Sequence, residues 1–495
     1  MNRKLYYVDL FCGAGGTSTG VELARLHGEK CAHVIACVNH DPNAIKSHAA
    51  NHPNVIHFTE DIRTLALGPL INIVRMARLQ NPKAKIVLWA SLECTNFSKA
   101  KGGKPRDADS RTLANHLFRY IEAIDPDYIQ IENVEEFMSW GEVDDNGKPI
   151  DKLCGTDYVR WCNRVQSYGY SYVWHILNAA DYGAYTSRKR FFGQFAKHGL
   201  PHAFPVPTFS KDGATDDNLF GVGMHRHKAV REVLDLDDDG ESIFARKKPL
   251  VEATLKRIYA GLVKFVAGGQ VNPNGRFLSK QFGGTPAGKN TSIDKPAGTV
   301  TCIDHHALIT YYGNGAAVSI DKPSPTIPTH DRLAKITFIA NEYSGGGQLS
   351  SIDGVSPSIL TTPKQKIVNV DCFLMNPQYN SAGGSIDKPC FTLIARMDKM
   401  PPYLIQTKEG LGIEVYDTDS PMTRKIKGFM ALYGIIDVKM RMLKISELLS
   451  IQGFPKGYKL IGTQSEQKKF IGNAVEVNMS RVLCEALAER LENAL

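Results

Sequence analysis

The sequence predicts an α/β chain built on a doubly wound parallel sheet, with a smaller β-rich region inserted before the chain returns to helix. Three observations carry this prediction. Short apolar runs, such as residues 34–38 and 86–90, are continuous rather than alternating, as parallel strands covered on both faces are. Helix-like stretches, such as residues 111–118, separate these runs up to about Lys197. Beyond Phe265 a Ser-Ile-Asp turn recurs in a glycine-bearing, β-branched background, the pattern of repeated hairpins.

The first element is the strand Tyr6-Tyr7-Val8-Asp9-Leu10, followed by the turn Phe11-Cys12-Gly13-Ala14-Gly15-Gly16-Thr17 and a helical Val21-Glu22-Leu23-Ala24-Arg25. Strand, glycine turn and helix make a nucleotide-type cradle, because glycine lets the backbone approach a ligand and a helix N-terminus offers free N–H groups. The spacing differs from G-x-G-x-x-G and argues against a nicotinamide cofactor. A second strand, residues 34–38, leads to Asn39-His40-Asp41, and a short segment ends at Glu60-Asp61-Ile62.

The buried run Ile86-Val87-Leu88-Trp89-Ala90 precedes Cys94 and a basic, glycine-containing stretch, residues 96–104. A thiol at the carboxyl end of a buried strand, opening onto a loop, stands where an open α/β sheet places its chemistry. Taken alone, such a cysteine is more often a small buried hydrophobe. Tyr128-Ile129-Gln130-Ile131 is another strand, ending in Glu132-Asn133-Val134, where a lone glutamate is more often a cap or a surface carboxylate. Arg188 and Arg190 precede Phe191-Phe192-Gly193 and, without context, would flank an edge strand.

These residues together resemble the cytosine-C5 DNA methyltransferases. Phe11 to Gly16, the cysteine at 94 and Glu132-Asn133-Val134 look like that family's first, fourth and sixth motifs. Thr186-Ser187-Arg188-Lys189-Arg190 is similar to its Q-x-R-x-R motif. Residues 441–455, with Glu447 and Gln452-Gly453-Phe454-Pro455, resemble the ninth motif, and residues 467–475, with Gly472-Asn473-Ala474-Val475, the tenth. The resemblance implies a Rossmann-like methyltransferase domain using S-adenosyl-L-methionine (AdoMet), with Cys94 as nucleophile and Glu132 on N3 of the base. It implies that Arg188 and Arg190 brace the base carbonyl and a phosphate. Asp9, Phe11, Gly13, Gly15, Asn39, Asp61, Asn473 and Val475 would line the cofactor.

Two departures stand out. Asn39 occupies the place of a glutamate that binds the ribose hydroxyls, and an amide makes the weaker hydrogen bond. Beside the nucleophile the family's Pro-Cys-Gln is Glu93-Cys94-Thr95, and an inward carboxylate would disfavour the thiolate. Either Glu93 faces away in an ordinary methylase of a divergent, phage-like branch, or the pocket handles an altered base or methyl donor.

Three regions are expected: a catalytic domain, residues 1–197; a target-recognition region, 198–436, helical to about 266 and then β-rich; and C-terminal helices, 437–495, packing back on the first domain. Prolines break the pattern between Gly199 and Thr208, and Leu255, Ile258, Leu262 and Phe265 then share one helical face. Asp235, Asp237, Asp239 and Gly240 imitate the start of a calcium loop, but Arg246 stands where a bidentate glutamate is required, leaving a solvated acidic turn. The Ser-Ile-Asp copies begin at Ser292, Ser319, Ser351 and Ser385 and read as turn chemistry. DNA contacts are expected from Ser98, Lys99, Lys101, Lys104 and Arg106 on the loop after Cys94, acting as a lid. Further contacts are expected from His305, His306, Arg332 and Arg396 in the repeat region.

Composition agrees with this reading. The chain has 495 residues, 43% hydrophobic, and a net charge of +8, which suits a polyanionic partner. Ten cysteines include no C-x-x-C pair, and His305-His306 has no convincing partner, so no disulfide framework or metal site is expected. No apolar run approaches the ~18 residues of a membrane span. The first strand begins too early for a signal peptide, and a cytoplasmic, monomeric protein acting on double-stranded DNA is expected. A related transferase acting on RNA or moving a modified one-carbon group, and an inactive DNA-binding homologue, are the alternatives.

Overall fold

The computed structural model describes residues 5–92, 113–142, 150–151, 153–213, 224–238, 240–263, 415–432, 435 and 437–494, together with the backbone of short strands between 277 and 408. Its centre is a seven-stranded sheet of β1 (Leu5–Leu10), β2 (Ala32–Val38), β3 (Ile56–Phe58), β4 (Lys85–Ser91), β5 (Tyr128–Asn133), β6 (Tyr170–Asn178) and β7 (Lys189–Lys197). In space the order is β3-β2-β1-β4-β5-β7-β6. The first five strands are parallel. β7 runs antiparallel to both β5 and β6, so the predicted parallel sheet is mixed at one margin. β7 is therefore an interior strand, and β6 is the edge.

Burial explains the unbroken apolar runs. Every residue of β1 and β5 is buried, because helices cover both faces. One face packs Val8, Leu88 and Ile131 against α3 (Gly68–Gln80), α4 (Leu117–Ile124) and α5 (Thr156–Gln166). The predicted helix at 111–118 begins as a 3-10 turn, Leu113–His116, before α4. The other face packs Tyr7, Val34 and Trp89 against α1 (Gly16–Leu23) and the C-terminal α10 (Val477–Asn493). Contact between α1 and α10 is close enough to require glycine: a Cβ on Gly20 would lie 2.0 Å from Ser480 Oγ and 2.3 Å from the Val477 carbonyl. α2 (Pro42–Asn51) starts where its chemistry dictates, with Asp41 accepting from the Asn43 and Ala44 amides ahead of Pro42.

The middle of the chain contributes one longer helix among the described residues of 198–276, α6 (Glu252–Leu262), where Leu255, Ile258 and Leu262 are buried as their spacing predicts. Elsewhere in the expected helical stretch the described residues form short strands, a 3-10 turn and irregular chain. A second seven-stranded sheet follows, largely antiparallel. Its members are Glu241–Ser242, Phe277–Ser279, Asn290–Ser292, His306–Thr310, Phe373–Asn376, Tyr403–Lys408 and Asp437–Met442. Asp437–Met442 pairs with Tyr403–Lys408 over six residues, so the segment assigned from sequence to the C-terminal helices is a strand of the inserted sheet. Ser292 and Ser351, the first residues of two Ser-Ile-Asp copies, each end a strand. After α7 (Pro421–Leu432) and that strand come α8 (Ile445–Ile451), α9 (Gln464–Asn473) and α10.

The acidic turn at 235–240 is not merely solvated. Lys444 Nζ lies 2.6 Å from Asp235 Oδ2 and 2.9 Å from Asp238 Oδ2. Glu447 accepts two hydrogen bonds from Arg441, at 2.8 and 2.9 Å, and others from the Asp235 and Lys444 amides. The turn thus docks onto the strand-to-helix corner before α8.

Candidate active site

The site grows from the carboxyl edge of the sheet, where β1 and β4 diverge to different helices. After β1 the backbone turns sharply through Phe11, Gly13 and Gly15, at φ 59°, 53° and 103°. The Cys12 amide donates to the Val38 carbonyl, tying this turn to the end of β2. At Gly13 no atom lies within 4 Å of where a Cβ would be, so a ligand can reach the backbone there. Gly16 is different: a Cβ there would meet the Val475 carbonyl at 2.5 Å. The Tyr458 hydroxyl donates to the Ala14 carbonyl at 2.6 Å, so the chain's two ends share this turn.

The cofactor candidates lie on successive strand ends. Asp9 is fully buried within β1, its Oδ2 accepting from Ser18 Oγ at 2.7 Å, and burial holds its carboxyl well above the usual range. Its Oδ1 has no hydrogen-bond partner among the described residues. Asn39 follows β2, with Oδ1 accepting from the Asp41 amide at 2.9 Å. Asp61 follows β3 and is gripped by the Arg63 side chain, which keeps its carboxyl below the usual range. Asn473 ends α9, and Val475 is buried in the link to α10. An open backbone at Gly13, an amide at Asn39 and a carboxylate at Asp61 fit the polar edges of a nucleoside cofactor.

Glu132 is the penultimate residue of β5, only 6% exposed, with Oε1 3.3 Å from Arg190 Nε. Burial raises the Glu132 pKa, and the guanidinium groups of Arg190 and then Arg188 oppose that rise. Because β7 is antiparallel, its first residues lie at the edge where β5 ends, which is how the arginines reach Glu132. Arg188 donates to the Gly472 carbonyl at 3.1 Å and so also holds the end of α9. Ser91 of β4 is in register with Glu132, and Asn133 Nδ2 donates to the Leu92 carbonyl, so the end of β4 lies beside the end of β5.

Cys94, Ser98, Lys99, Lys101, Lys104 and Arg106 lie outside the described residues, as do His305, Arg332 and Arg396. His306 opens a described strand, with its backbone opposite Asn376.

Sequence reasoning overlooked several groups around the site. Ser18, His48 and Tyr458 carry no local motif. Glu476, buried at the N-cap of α10 with Oε2 accepting from the Met479 amide at 2.8 Å, has its pKa pushed up to about 7 by burial. The Gly16-x-x-x-Gly20 spacing was a readable sign of close helix contact.

Comparison with known proteins follows the same lines. The sequence model of the family described as C-5 cytosine-specific DNA methylase matches residues 5–253 and 385–489. The type II methyltransferase M.AquIA of Picosynechococcus sp. is 25% identical over 237 residues, 47% of this chain and 88% of that protein. M1.HphI of Haemophilus parahaemolyticus, also a type II methyltransferase, is 27% identical over 221 residues, 44% of this chain. The chain spans about half (52%) of that relative's length. Among solved structures, a Spodoptera frugiperda DNMT2 variant aligns with 97% of this chain and 99% of its own, at 14% identity and a TM-score of 0.48.

Proposed function

Because the chain belongs to the C-5 cytosine-specific DNA methylase family, we propose that it methylates C5 of a flipped-out cytosine in duplex DNA through a covalent bond between Cys94 and C6. Members of this family use AdoMet, which supplies an electrophilic methyl group on a sulfonium centre. Asp9, Phe11, Gly13, Gly15, Asn39, Asp61, Asn473 and Val475 are the residues that would hold it.

Cytosine C5 is a poor nucleophile. Addition of the Cys94 thiolate at C6 moves the C5–C6 π electrons toward C5 and makes an enamine. Glu132 protonates or hydrogen-bonds N3, drawing charge from the ring as the sulfur attacks. Arg190 holds Glu132 in place and, with Arg188, braces the base carbonyl and the adjoining phosphate. Once C5 carries the methyl group, water takes its proton, the C–H electron pair forms the C5–C6 double bond, and the C6–S pair leaves on sulfur, which returns the Cys94 thiolate and the aromatic ring. A stacked duplex hides C5, so the base must leave the helix. Ser98, Lys99, Lys101, Lys104 and Arg106 then meet the backbone as their loop closes, and His305, His306, Arg332 and Arg396 contribute recognition.

The observation that best supports this reading is Glu132: a buried, protonatable carboxyl at the end of β5, held by an arginine from β7. A second reading, transfer to RNA or from an altered donor, draws on Glu93 and Asn39. Supplying methyl-tritiated AdoMet with duplex DNA or RNA separates the two. Label on DNA cytosine supports the proposal; label on RNA alone overturns it.

A further inference from the structure

Two cysteines and a histidine that no sequence spacing connects meet beneath the glycine turn. Cys12 lies in the turn, Cys37 in β2 and His48 on α2, and all three are buried. Their ligating atoms lie within 4.8 Å of one another, with Cys37 Sγ 3.8 Å from His48 Nδ1. A tetrahedral zinc site, with Zn–S near 2.3 Å and Zn–N near 2.1 Å, places sulfur and nitrogen about 3.6 Å apart. A second imidazole stands beside the first, His57 Nε2 lying 2.9 Å from His48 Nδ1 on the half-buried β3.

The surroundings of His48 are those of a metal ligand. Ser18 Oγ donates to Asp9 Oδ2 at 2.7 Å, so its oxygen accepts from His48 Nε2 at 2.9 Å. That chain fixes the proton on Nε2 and turns the Nδ1 lone pair toward the sulfurs, as outer-shell partners of metal-bound histidines do. A cavity of about 390 Å³, lined by Thr19, His52 and Tyr458 among others, opens beside the cluster, with the His52 ring 4.7 Å from that of His48.

We propose that Cys12, Cys37 and His48, completed by His57, bind a structural zinc ion that pins the Phe11–Gly16 turn to β2, α2 and β3. Binding releases two protons, one from each thiol, and the two thiolates neutralise the dication inside the fold. His57 lies outside the three-residue group whose atoms are within 4.8 Å of one another, so its ring swings toward the sulfurs on binding to complete the tetrahedron.

The test reads metal directly and does not depend on methyl transfer. The full chain, purified reduced and without a metal-affinity step, is assayed for zinc by mass spectrometry, and the metal-free chain is titrated with cobalt(II). A single zinc per chain is expected, with thiolate-to-cobalt charge-transfer absorption that falls by half in Cys12→Ser and vanishes in a Cys12→Ser, Cys37→Ser double variant. Ser18→Ala weakens zinc binding by roughly 10–100-fold by freeing the His48 ring. Circular dichroism checks that the variants fold, and the wild-type cobalt spectrum decides the matter if they do not. A reduced wild-type chain that retains no zinc and shows no charge-transfer band overturns the site, as does a band unchanged in Cys37→Ser.

Discussion

Glu132 and Arg190 face each other across adjacent antiparallel strands, Oε1 to Nε at 3.3 Å, both largely shielded from water. The pair sets a balance: burial favours the neutral acid, and the guanidinium favours the carboxylate. If the protonated acid serves N3, activity is lost as pH rises through the Glu132 pKa. Arg190→Ala removes a lowering influence, so the alkaline limb of the kcat profile moves to higher pH even as the maximum rate falls. Glu132→Gln lowers kcat by about 10²–10⁴-fold with AdoMet affinity retained. Initial rates across pH check both, and an alkaline limb moving to lower pH in Arg190→Ala contradicts the account.

Glu476 gives a separate pH dependence, in stability rather than rate. Its folded pKa is raised from 4.5 to about 7 by burial. A raised folded pKa means the native state holds the proton more tightly than the unfolded chain. The contribution is complete below pH 4.5 and disappears as pH rises through about 7. Glu476→Gln keeps an oxygen for the cap of α10 but cannot ionise. Wild type therefore loses roughly 3 kcal/mol relative to this variant across that range, measurable by urea unfolding at several pH values. A pH-independent difference contradicts it.

Two glycines near the start of the chain, Gly13 in the first motif and Gly20 in α1, should fail differently. Gly13→Ala has room for its Cβ but must hold a left-handed backbone, costing about 1–2 kcal/mol. Its main effect falls on the cofactor, as a raised KM for AdoMet. Gly20→Ala drives a methyl into Ser480 and the Val477 carbonyl, so α1 and α10 separate and the melting temperature drops well below that of Gly13→Ala. Thermal melts and AdoMet titrations of the two variants separate the roles.

Asn39 offers a gain rather than a loss. Its Oδ1 is already engaged by the Asp41 amide. A carboxylate at this position accepts ribose hydroxyls in charge-assisted bonds, about twice as strong as neutral ones. Asn39→Glu should tighten AdoMet by about 3–10-fold, measured by calorimetry. Unchanged or weaker binding would show that this strand end does not face the ribose.

What was legible in the sequence was local. Strand, turn and helix from Tyr6 to Leu23 are contiguous, so a short window holds both the hydrophobic period and the glycine signals. Glu132 could be marked because its strand ends one residue beyond it. The direction of β7 was not legible, since a nine-residue strand buried through its middle reads the same in a parallel or an antiparallel sheet. Arg188 meets the Gly472 carbonyl across 284 residues of sequence, and the Arg441 side chain meets the acidic turn across about 200. Such pairings are set by packing, and no periodicity records them. The Cys12, Cys37 and His48 cluster was hidden for the same reason, as each lies on a different element and no pair has a metal-binding spacing.

The most direct measurement is nucleoside mass spectrometry of DNA from cells that lack other cytosine methylases and express either this chain or Cys94→Ala. 5-Methylcytosine is expected with the wild-type chain and none with the variant. Undiminished 5-methylcytosine in Cys94→Ala, or no modified cytosine in DNA from cells making soluble wild-type protein, would contradict this expectation.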